Sequence, residues 1–235
     1  MFKENAPRGK SKETKANILG HAIRLFRERG FDSATMRDVA NAAGVALGAA
    51  YYYFPSKEAI VQAYYEDVQA QHAQRVAAAL AEKRYGLEDR LRIAIEKKFD
   101  ILKNDRKLLG ALFRYTADPE HPLSIFSAAN RAVREQSMKV FTMAVGDEKL
   151  PDDIRAILPM ALWALHMGIL LYFIYDQSAE QARTHKLIEG ATRMFVRVLA
   201  VAKLAVMKPV RGSLSSLLRE AELFPELDRP VASTR

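Results

Sequence analysis

The chain has 235 residues, of which 49% are apolar and none is cysteine, and its formal net charge at pH 7 is +8. This length and composition can bury a sizeable core, in one large domain or in a small domain joined to a larger one. They exclude a disordered or collagen-like chain, a disulfide scaffold, a cysteine nucleophile and thiolate metal sites, and the basic charge favours a polyanionic partner, nucleic acid first and an anionic membrane surface second.

The chain begins with a short basic segment that lacks the apolar run of a secretory signal, and we expect residues 1–11 to form a flexible arm. Beyond it, apolar residues recur at the helical period and no segment alternates as a strand would. The sequence therefore predicts an all-α protein. The first helix is predicted to carry Ile18, Ala22 and Phe26 on one face and to end at Gly30.

Two short helices are predicted next, separated by a glycine. Thr35 and Asp38 have the spacing of a capping box, so the second helix is predicted to begin at Thr35. Gly44 stands where a helix ends in a left-handed turn, and a third helix is predicted from Leu47 to Phe54. Two short helices joined in this way are typical of a helix-turn-helix, whose second helix can enter the major groove of DNA.

Longer amphipathic helices are predicted in the rest of the chain, the first of them capped by Ser56. The apolar positions that define this helix and the next one are Ile60, Tyr64, Val68, Leu91, Ile95, Phe99 and Leu102. Further helices are predicted near 106–117, 123–145, 152–176 and 179–206. After Met207 the composition changes, and we expect a C-terminal extension that contains a short amphipathic helix and ends in a frayed tail.

Residues 156–175 contain no Asp, Glu, Lys or Arg, and by length alone such a run is a candidate transmembrane helix. Pro159, His166 and Gly168 weaken that interpretation, and the chain has no second run of this kind. The alternative is a helix buried on two faces, one against its own core and one against a partner subunit. We expect no membrane partner.

The stretch from Thr35 to Glu58 resembles the N-terminal DNA-binding domain of the TetR (tetracycline-repressor) family of bacterial regulators. The strong match covers residues 12 to 65, and the rest of the chain is similar to the family in its architecture of long helices. The residues that carry the resemblance are Ile18, Ala22, Leu25, Phe26, Gly30, Phe31, Thr35, Arg37, Asp38, Ala40, Ala43, Gly44, Val45, Gly48, Tyr51, Tyr53, Phe54, Ser56, Lys57 and Glu58.

The resemblance implies a homodimer that binds a palindromic operator in double-stranded DNA, usually as a repressor in the cytoplasm. It also implies release of the operator when a small-molecule effector enters the C-terminal bundle. The expected segments are a basic arm (1–11), a helix-turn-helix domain (12–58), an effector-binding and dimerisation bundle (59–207) and the C-terminal extension (208–235).

Carried over to this chain, the resemblance implies that Thr35 and Arg37 meet backbone phosphates at the start of the second helix. Tyr51 and Tyr52 would lie on phosphates beside the groove. Lys57 would meet a further phosphate, assisted by the N-terminus of the fourth helix.

Two departures from the family pattern bear on how DNA is read. Members commonly have Ser or Thr where Ala46 stands, and alanine neither caps a helix nor reaches a phosphate. Leu47 and Ala49 offer no hydrogen bond to a base edge, which leaves apolar contact with thymine methyl groups. We predict that Arg37, the tyrosines, thymine methyl groups and DNA shape supply much of the specificity. The predicted DNA-binding residues are Thr35, Arg37, Ala46, Leu47, Gly48, Ala49, Tyr51, Tyr52 and Lys57.

Aromatic and sulfur-containing residues on the apolar helices are candidates for an effector pocket, and core packing is the alternative for each of them. They are Phe99, Leu102, Phe113, Met138, Phe141, Trp163, His166, Met167 and Leu170. This lining favours a hydrophobic or aromatic effector, for which His166 is either the polar anchor or a histidine bonded to a backbone carbonyl. The last two long helices carry more apolar surface than one core requires, so the dimer interface is expected to contain Leu187, Ala191, Phe195, Val198, Leu199 and Ala202.

No residues support an enzyme. None of the five histidines has a helical metal-binding partner, and the chain lacks a glycine-rich phosphate loop, a nucleophile elbow and an isolated carboxylate pair. We therefore expect no catalytic residue, no metal and no cofactor. The competing class is a helical small-molecule or lipid-binding protein without sequence-specific DNA function, which explains the 156–175 run but not the ordered block from Thr35 to Glu58.

Overall fold

The computed structural model describes residues 6–118 and 120–220. These residues form α-helices joined by turns and short 3-10 segments, with no strand among them, which confirms the predicted all-α fold. The helices are α1 (Ala6–Arg29), α2 (Met36–Ala43), α3 (Leu47–Tyr53), α4 (Lys57–Ala81), α5 (Leu87–Leu102), α6 (Arg106–Phe113), α7 (Arg131–Val145), α8 (Asp152–Tyr175), α9 (Ala182–Ala202) and α10 (Lys208–Glu220).

The first helix begins earlier than the sequence predicts. Residues 6–11 are helical, which corrects the expectation of a flexible arm over 1–11, and residues 1–5 lie outside the described residues. The hydroxyl of Tyr53 donates to Ser11 Oγ at 3.3 Å, so the first turns of α1 are joined to α3. That contact spans 42 positions of the chain and leaves no local pattern in the sequence.

The helix predicted near 123–145 begins only at Arg131, and 120–130 form turns. Side chains take the local hydrogen bonds there: the Asn130 amide donates to the carbonyls of Pro122 and Ser124, each at 2.9 Å, and the Ser127 hydroxyl donates to Pro122. Side chains of this type compete with the helical backbone pattern. They explain why an apolar period over this segment does not become a helix.

The C-terminal extension forms a longer helix than expected, because α10 begins at Lys208 and includes both Pro209 and Gly212. A proline is tolerated in the first turn, where the backbone amide has no helical partner. Arg211 fastens the helix by donating to the Asp153 carboxylate at 2.6 Å and to the carbonyl of Ala202 at 2.6 Å. The expected frayed tail lies outside the described residues.

The chain packs into two compact units. The first contains the described residues up to 72 together with 100–136, and the second contains 73–99 together with the described residues from 137 onward. The helix-turn-helix helices thus share a unit with the first part of α4 and with α6. The boundary at 58 that we expected from the sequence does not coincide with a break in packing.

In the first unit, a polar network centred on Asp105 joins three elements. This buried carboxylate accepts two hydrogen bonds from the guanidinium of Arg27 and one, at 2.6 Å, from the hydroxyl of Tyr64. Burial, and then Asp105, raise the pKa of Tyr64 far above its usual value, so the phenol stays a donor. The network connects α1, α4 and the start of α6 and gives the helix-turn-helix a fixed base.

In the second unit, Asp176 ends α8 and organises the start of α9. Its carboxylate accepts bonds of 2.7–2.9 Å from the amides and hydroxyls of Ser178 and Thr184. Burial acts to raise the pKa of Asp176, but these bonds outweigh it and hold the pKa below its usual range. The first amides of a helix have no internal acceptor, and Asp176 supplies one for Thr184.

Among the described helices, α8 is long and apolar enough to span a membrane by length and composition alone. It packs against α9 and α10 and buries Leu162, Trp163 and His166 within the second unit. A core helix of a bundle meets the same criterion, and a single helix of this kind is weak evidence for a membrane span.

Candidate functional site

The helix-turn-helix begins with the capping box expected from the sequence. Thr35 Oγ1 accepts from the Asp38 amide at 3.2 Å, and the Asp38 carboxylate accepts from the Thr35 amide at 2.9 Å and its hydroxyl at 2.6 Å. These bonds, the hydroxyl's first, lower the pKa of Asp38, so the carboxylate is charged at neutral pH. Because the Thr35 hydroxyl donates to Asp38, its contact with a phosphate stays a prediction. Arg37, which precedes Asp38 in the chain, is exposed.

The turn between α2 and α3 depends on a glycine. Gly44 has left-handed backbone angles, φ 65° and ψ 33°, which side-chain-bearing residues adopt only at a cost. The amide of Val45 then donates to the carbonyl of Ala40 at 3.0 Å, which closes α2. Asn17 on α1 donates to the carbonyl of Ala43 at 2.9 Å and fixes the end of α2 from outside. Nothing in the sequence pattern distinguishes Asn17 from a surface residue of α1.

The helix that follows, α3, starts without a side-chain cap. Ala46 has the extended backbone of an N-cap residue, φ −64° and ψ 146°, but no side-chain hydrogen bond to the first turn. As the alanine at this position predicts, α3 begins without a side-chain hydrogen bond to its first turn. The exposed amides of this turn remain available to an anion.

The exposed face of α3 is centred on a glycine. Gly48 is exposed, and Tyr51 and Tyr52, at three and four positions further on, are 49% and 81% exposed. Leu47 and Ala49 lie half-buried at the two edges of this face. We call Leu47, Gly48, Ala49, Tyr51 and Tyr52 the recognition face. Its side chains offer phenol hydroxyls and apolar groups, and none of them carries an amide, a guanidinium or a carboxylate.

The opposite side of α3 holds the helix in place. Ala50 and Phe54 are buried, as a helix of one and a half to two turns requires for a fixed orientation. Phe54 is buried, whereas Tyr53 is only half-buried and packs edge-on against the ring of Tyr52 at 5.1 Å. The recognition face is therefore presented by a rigid support.

In the structure, the ammonium of Lys57 binds protein carbonyls, whereas the resemblance implies that it binds a phosphate. Its ammonium donates to the backbone carbonyls of Phe31 at 2.7 Å and Asp32 at 3.2 Å, and it lies 4.6 Å from the centre of the Phe31 ring. The amine thus joins the start of α4 to the turn that follows α1. A phosphate contact by Lys57 would have to compete with these acceptors, and it stays a prediction.

The pocket candidates fall into two groups. Phe99, Phe141 and His166 come together as a buried cluster, with the ring of His166 at 5.5 Å from Phe99 and 5.6 Å from Phe141. Phe173 joins them at 5.0 Å from Phe99. We call these four residues the aromatic cluster. Phe173 lies seven positions, about two helical turns, beyond His166 on α8 and so shares its face, but it was not among the predicted candidates.

The remaining pocket candidates are less closely associated. Trp163 is buried on α8, and Met138, Met167 and Leu170 are half-buried on α7 and α8. Leu102 and Phe113 belong to the first unit. Core packing, the alternative that we kept open for each candidate, describes the aromatic cluster in this structure.

The candidates for the dimer interface also separate. Leu187 and Val198 are exposed, the latter to 59%, and Ala191, Phe195 and Ala202 are half-buried. Leu199 is only 5% exposed and packs inside its own protomer, which corrects its assignment to the interface. A residue one position from an exposed one lies about 100° around the helix, and here that rotation reaches the core.

Two exposed residues on α9 were missed. Met194 and Val201 are 59% and 54% exposed and continue the stripe of Leu187 and Val198 at helical spacing. The signal was available, because Met194 lies seven positions from Leu187 and Val201 lies three positions from Val198, both helical spacings. On α8, Tyr172 and Tyr175 are exposed as well. The two helices pack together, so they present apolar side chains to solvent from neighbouring positions.

A charged cleft of about 380 Å³ lies between α5 and α9. Its side chains pair with one another: Arg92 bonds Asp89 at 2.8 Å and Glu96 at 3.4 Å, and Arg193 bonds Glu189. These mutual pairs occupy the charges, so we assign no ligand to the cleft. Among residues 6–118 and 120–220, no group of three or more His, Asp or Glu side chains is placed to hold a metal ion.

Two family models match the chain. The one described as "Bacterial regulatory proteins, tetR family" matches residues 18–64. The one described as "Tetracyclin repressor-like, C-terminal domain" matches residues 90–212, more than half of the chain. The first match contains the capping box, the glycine turn and the recognition face.

Individual proteins give the same result. The chain is 31% identical to the HTH-type transcriptional repressor KstR2 of Rhodococcus jostii (strain RHA1) over 150 residues, which cover 60% of this chain and 69% of that protein. It is 31% identical to the fatty acid metabolism regulator protein of Bacillus subtilis (strain 168) over 91 residues, 39% of this chain and 46% of that protein. Its fold is similar to that of a tetR-family transcriptional regulator from Streptomyces coelicolor, with a TM-score of 0.61, 20% identity and 89% of each chain covered.

Proposed function

Because the chain belongs to the tetR family of bacterial regulatory proteins, we propose that it binds a palindromic operator as a homodimer and leaves it when an apolar or aromatic molecule binds its second unit. The protein is a ligand-responsive transcriptional regulator. One of these relatives is named a transcriptional repressor, which favours repression here. A regulator that acts on the bacterial chromosome works in the cytoplasm.

The observation that carries the DNA-binding proposal is the recognition face. It is exposed on a helix of seven residues whose other side, Ala50 and Phe54, is buried. Such a helix can enter the major groove while α2 lies across the backbone. The amides at the start of α2 and the side chain of Arg37 would face the phosphates.

The chemistry of this face limits how bases can be read. Leu47 and Ala49 can contact thymine methyl groups, and Gly48 lets the backbone of α3 approach the base edges closely. Tyr51 and Tyr52 can donate to phosphates on either side. Sequence selection therefore rests on apolar contacts and on DNA shape more than on bidentate hydrogen bonds.

The release step follows from linkage. Two recognition helices of a dimer must lie about 34–36 Å apart to enter successive major grooves on one side of the duplex. An effector that binds more tightly to a conformation with another spacing lowers the affinity of the protein for the operator. The operator lowers the affinity for the effector by the same factor. An apolar or aromatic effector would have to pack among apolar helices of the second unit such as those of the aromatic cluster, and the relative from Bacillus subtilis is named a fatty acid metabolism regulator protein.

The experiment for this proposal is selection of binding sites from random duplex DNA, with the affinity of the selected sites followed against salt concentration. We expect one inverted repeat with half-sites about one helical turn apart, and an affinity that falls steeply as salt rises. Weak binding without enrichment of any sequence would favour the competing class, a helical small-molecule or lipid-binding protein.

A pair of glycine variants tests the role of α3. A Cβ at Gly48 or at Gly20 would meet no heavy atom within 4 Å, so we expect both alanine variants to fold. Each removes a glycine from a helix, which stabilises a protein by about 0.5–1 kcal/mol. We expect Gly48→Ala to weaken operator binding about tenfold, because the methyl group comes between α3 and the bases, and Gly20→Ala to leave it unchanged. Equal operator affinity of the two variants would show that α3 does not approach the bases.

A further inference from the structure

The recognition face of α3 contains no side chain that can neutralise a phosphate. Its hydroxyls and apolar groups carry no positive charge, and Lys57, at the start of α4, donates to the carbonyls of Phe31 and Asp32. Neutralising a phosphate releases counterions from the duplex, and this release supplies much of the affinity for DNA. The cations must therefore come from elements beside α3, and Arg37 on α2 is one exposed cation of this kind.

The first turns of α1 lie beside the end of α3. The hydroxyl of Tyr53 donates to Ser11 Oγ at 3.3 Å, and the ring of Tyr53 packs against that of Tyr52 at 5.1 Å. The ammonium of Lys15 lies 5.4 Å from the centre of the Phe54 ring. Two contacts about one helical turn apart thus hold this end of α1 next to the recognition face.

Three lysines are exposed on this part of α1: Lys10, Lys12 and Lys15. Two of them directly precede and follow Ser11, and the third lies one turn further along the helix. We call these three residues the α1 lysine patch. Between residues 6 and 20 the chain has four basic residues and one acidic residue, so this end of α1 attracts anions.

We propose that the α1 lysine patch binds phosphates of the duplex that α3 enters, so that the DNA interface extends from the helix-turn-helix to the first turns of α1. Lysine carries a compact charge on a flexible stem, which suits a phosphate, and a phosphate contact carries no sequence information by itself. This inference deepens the proposed function and rests on it in one respect, that the first unit binds duplex DNA. It does not depend on which sequence is selected.

A duplex fits this patch better than an anionic membrane does. The exposed positions among residues 9–17 contain no large apolar side chain. A helix that lies on a membrane needs an apolar face that enters the lipid beside its cations. Charge alone therefore defines the partner of this surface, and the recognition face beside it places that partner at the end of α3.

The salt dependence of operator binding measures these contacts. Each phosphate contact contributes about 0.9 to the slope of log affinity against log salt concentration, and a homodimer makes each contact twice. For the triple variant Lys10→Gln, Lys12→Gln, Lys15→Gln we expect a slope shallower by about 2–5, which corresponds to between one and three lysines in contact. The selected sequence should stay the same, because only backbone contacts are lost.

Two further triple variants separate phosphate contacts from net charge. Lys103→Gln, Lys107→Gln, Lys149→Gln removes the same charge from exposed positions outside α1–α4 and should keep the slope of the unchanged protein. Replacement of the α1 lysine patch by three arginines keeps the charge and should keep the slope as well. Glutamine and arginine form helices about as well as lysine, so we expect all three variants to retain their helicity, which circular dichroism checks.

Ethylation interference locates the contacts on the selected operator. Ethylation removes the charge of one phosphate at a time. At the phosphates that the α1 lysine patch binds, it should weaken binding of the unchanged protein and have no further effect on the glutamine variant of the patch.

Three results would overturn the inference: a slope of the glutamine variant equal to that of the unchanged protein, an equal loss of slope in the Lys103, Lys107, Lys149 control, or patch-dependent binding to phosphatidylglycerol vesicles with an unchanged slope on DNA. If no sequence is selected, the slopes are measured on a random duplex. A shallower slope of the glutamine variant there would contradict the proposed function and support this inference. A selected operator bound with an unchanged slope would do the opposite.

Discussion

At the scale of single residues, Lys57 shows how the same side chain can be assigned to DNA or to the fold. The resemblance places it on a phosphate, whereas the structure places its ammonium on two backbone carbonyls and near the ring of Phe31. A lysine that donates to two backbone carbonyls contributes to stability through charge-assisted hydrogen bonds. The two roles differ in what a substitution would change.

We expect Lys57→Met to lower the free energy of unfolding by about 1–3 kcal/mol, because the carbonyls of Phe31 and Asp32 lose their donor. Denaturant unfolding followed by circular dichroism measures this. Lys103→Met is the control, since Lys103 is exposed and its loss should have little effect. Unchanged stability of Lys57→Met, together with a weaker salt dependence of operator binding, would instead support the phosphate contact.

Lys98, which is buried on α5, makes stability depend on pH in a defined direction. Burial lowers its pKa from 10.5 to about 7, so between these values the unfolded chain binds more protons. Stability therefore rises with pH across this range, by at most about 1.4 kcal/mol per pH unit, and is lowest below the folded pKa. We expect Lys98→Met to be more stable than the unchanged protein at pH 7, with a difference that narrows toward pH 10. Parallel stability curves for the two proteins would contradict the burial of the amine.

At the scale of elements, α2 and α3 differ in how they begin. The first turn of α2 is capped by both side chains of the Thr35–Asp38 box, whereas Ala46 leaves α3 without a side-chain cap. A helix of seven residues gains little from its own hydrogen bonds and depends on packing and caps. The start of the recognition helix is thus a weak point of the first unit.

We expect Ala46→Ser to raise the free energy of unfolding by about 0.5–1 kcal/mol, because a hydroxyl at this extended position can accept from the first turn of α3. Thermal unfolding measures the gain. Ala49→Ser is the control, since a hydroxyl within the helix caps nothing and should give no increase. If both serine variants have the stability of the unchanged protein, the start of α3 does not limit stability.

At the scale of the whole molecule, the exposed stripe of α9 and the neighbouring surface of α8 support a subunit interface. Val198 and Met194 are both 59% exposed, so these apolar side chains are not part of the core of their own bundle. Many homodimers bury surfaces of this kind. Dimerisation is typical of the family, and we propose this stripe as the place where it occurs in this chain.

We expect Val198→Glu to produce monomers that keep their helical content and lose operator binding, because a charge would be buried between subunits. Sedimentation measures the association and circular dichroism measures the helicity. Ala200→Glu is the control, since Ala200 is exposed on a different side of α9. Leu199→Glu should lower the free energy of unfolding of the protomer, because Leu199 is buried in its own protomer. A dimeric Val198→Glu would place the interface elsewhere.

The regular spacing of apolar residues determined the all-α fold, and Thr35, Asp38 and Gly44 determined the helix-turn-helix. The alanine at 46 determined that α3 lacks a side-chain cap. These features depend on residues within a few positions of one another, because helix periods, caps and left-handed turns are local interactions. Local interactions can be read from the order of residues alone.

Only the tertiary structure decided which groups Lys57 binds, and that Leu199 and Lys98 are buried within the protomer. The Lys57 ammonium reaches a carbonyl 26 positions away, and the Arg27–Asp105 bond spans 78 positions. Contacts of this range arise when two helices pack and the rotation of each helix selects which side chains meet. A helical period fixes which residues share a face, but the energy of packing whole surfaces against one another decides which face becomes the interior.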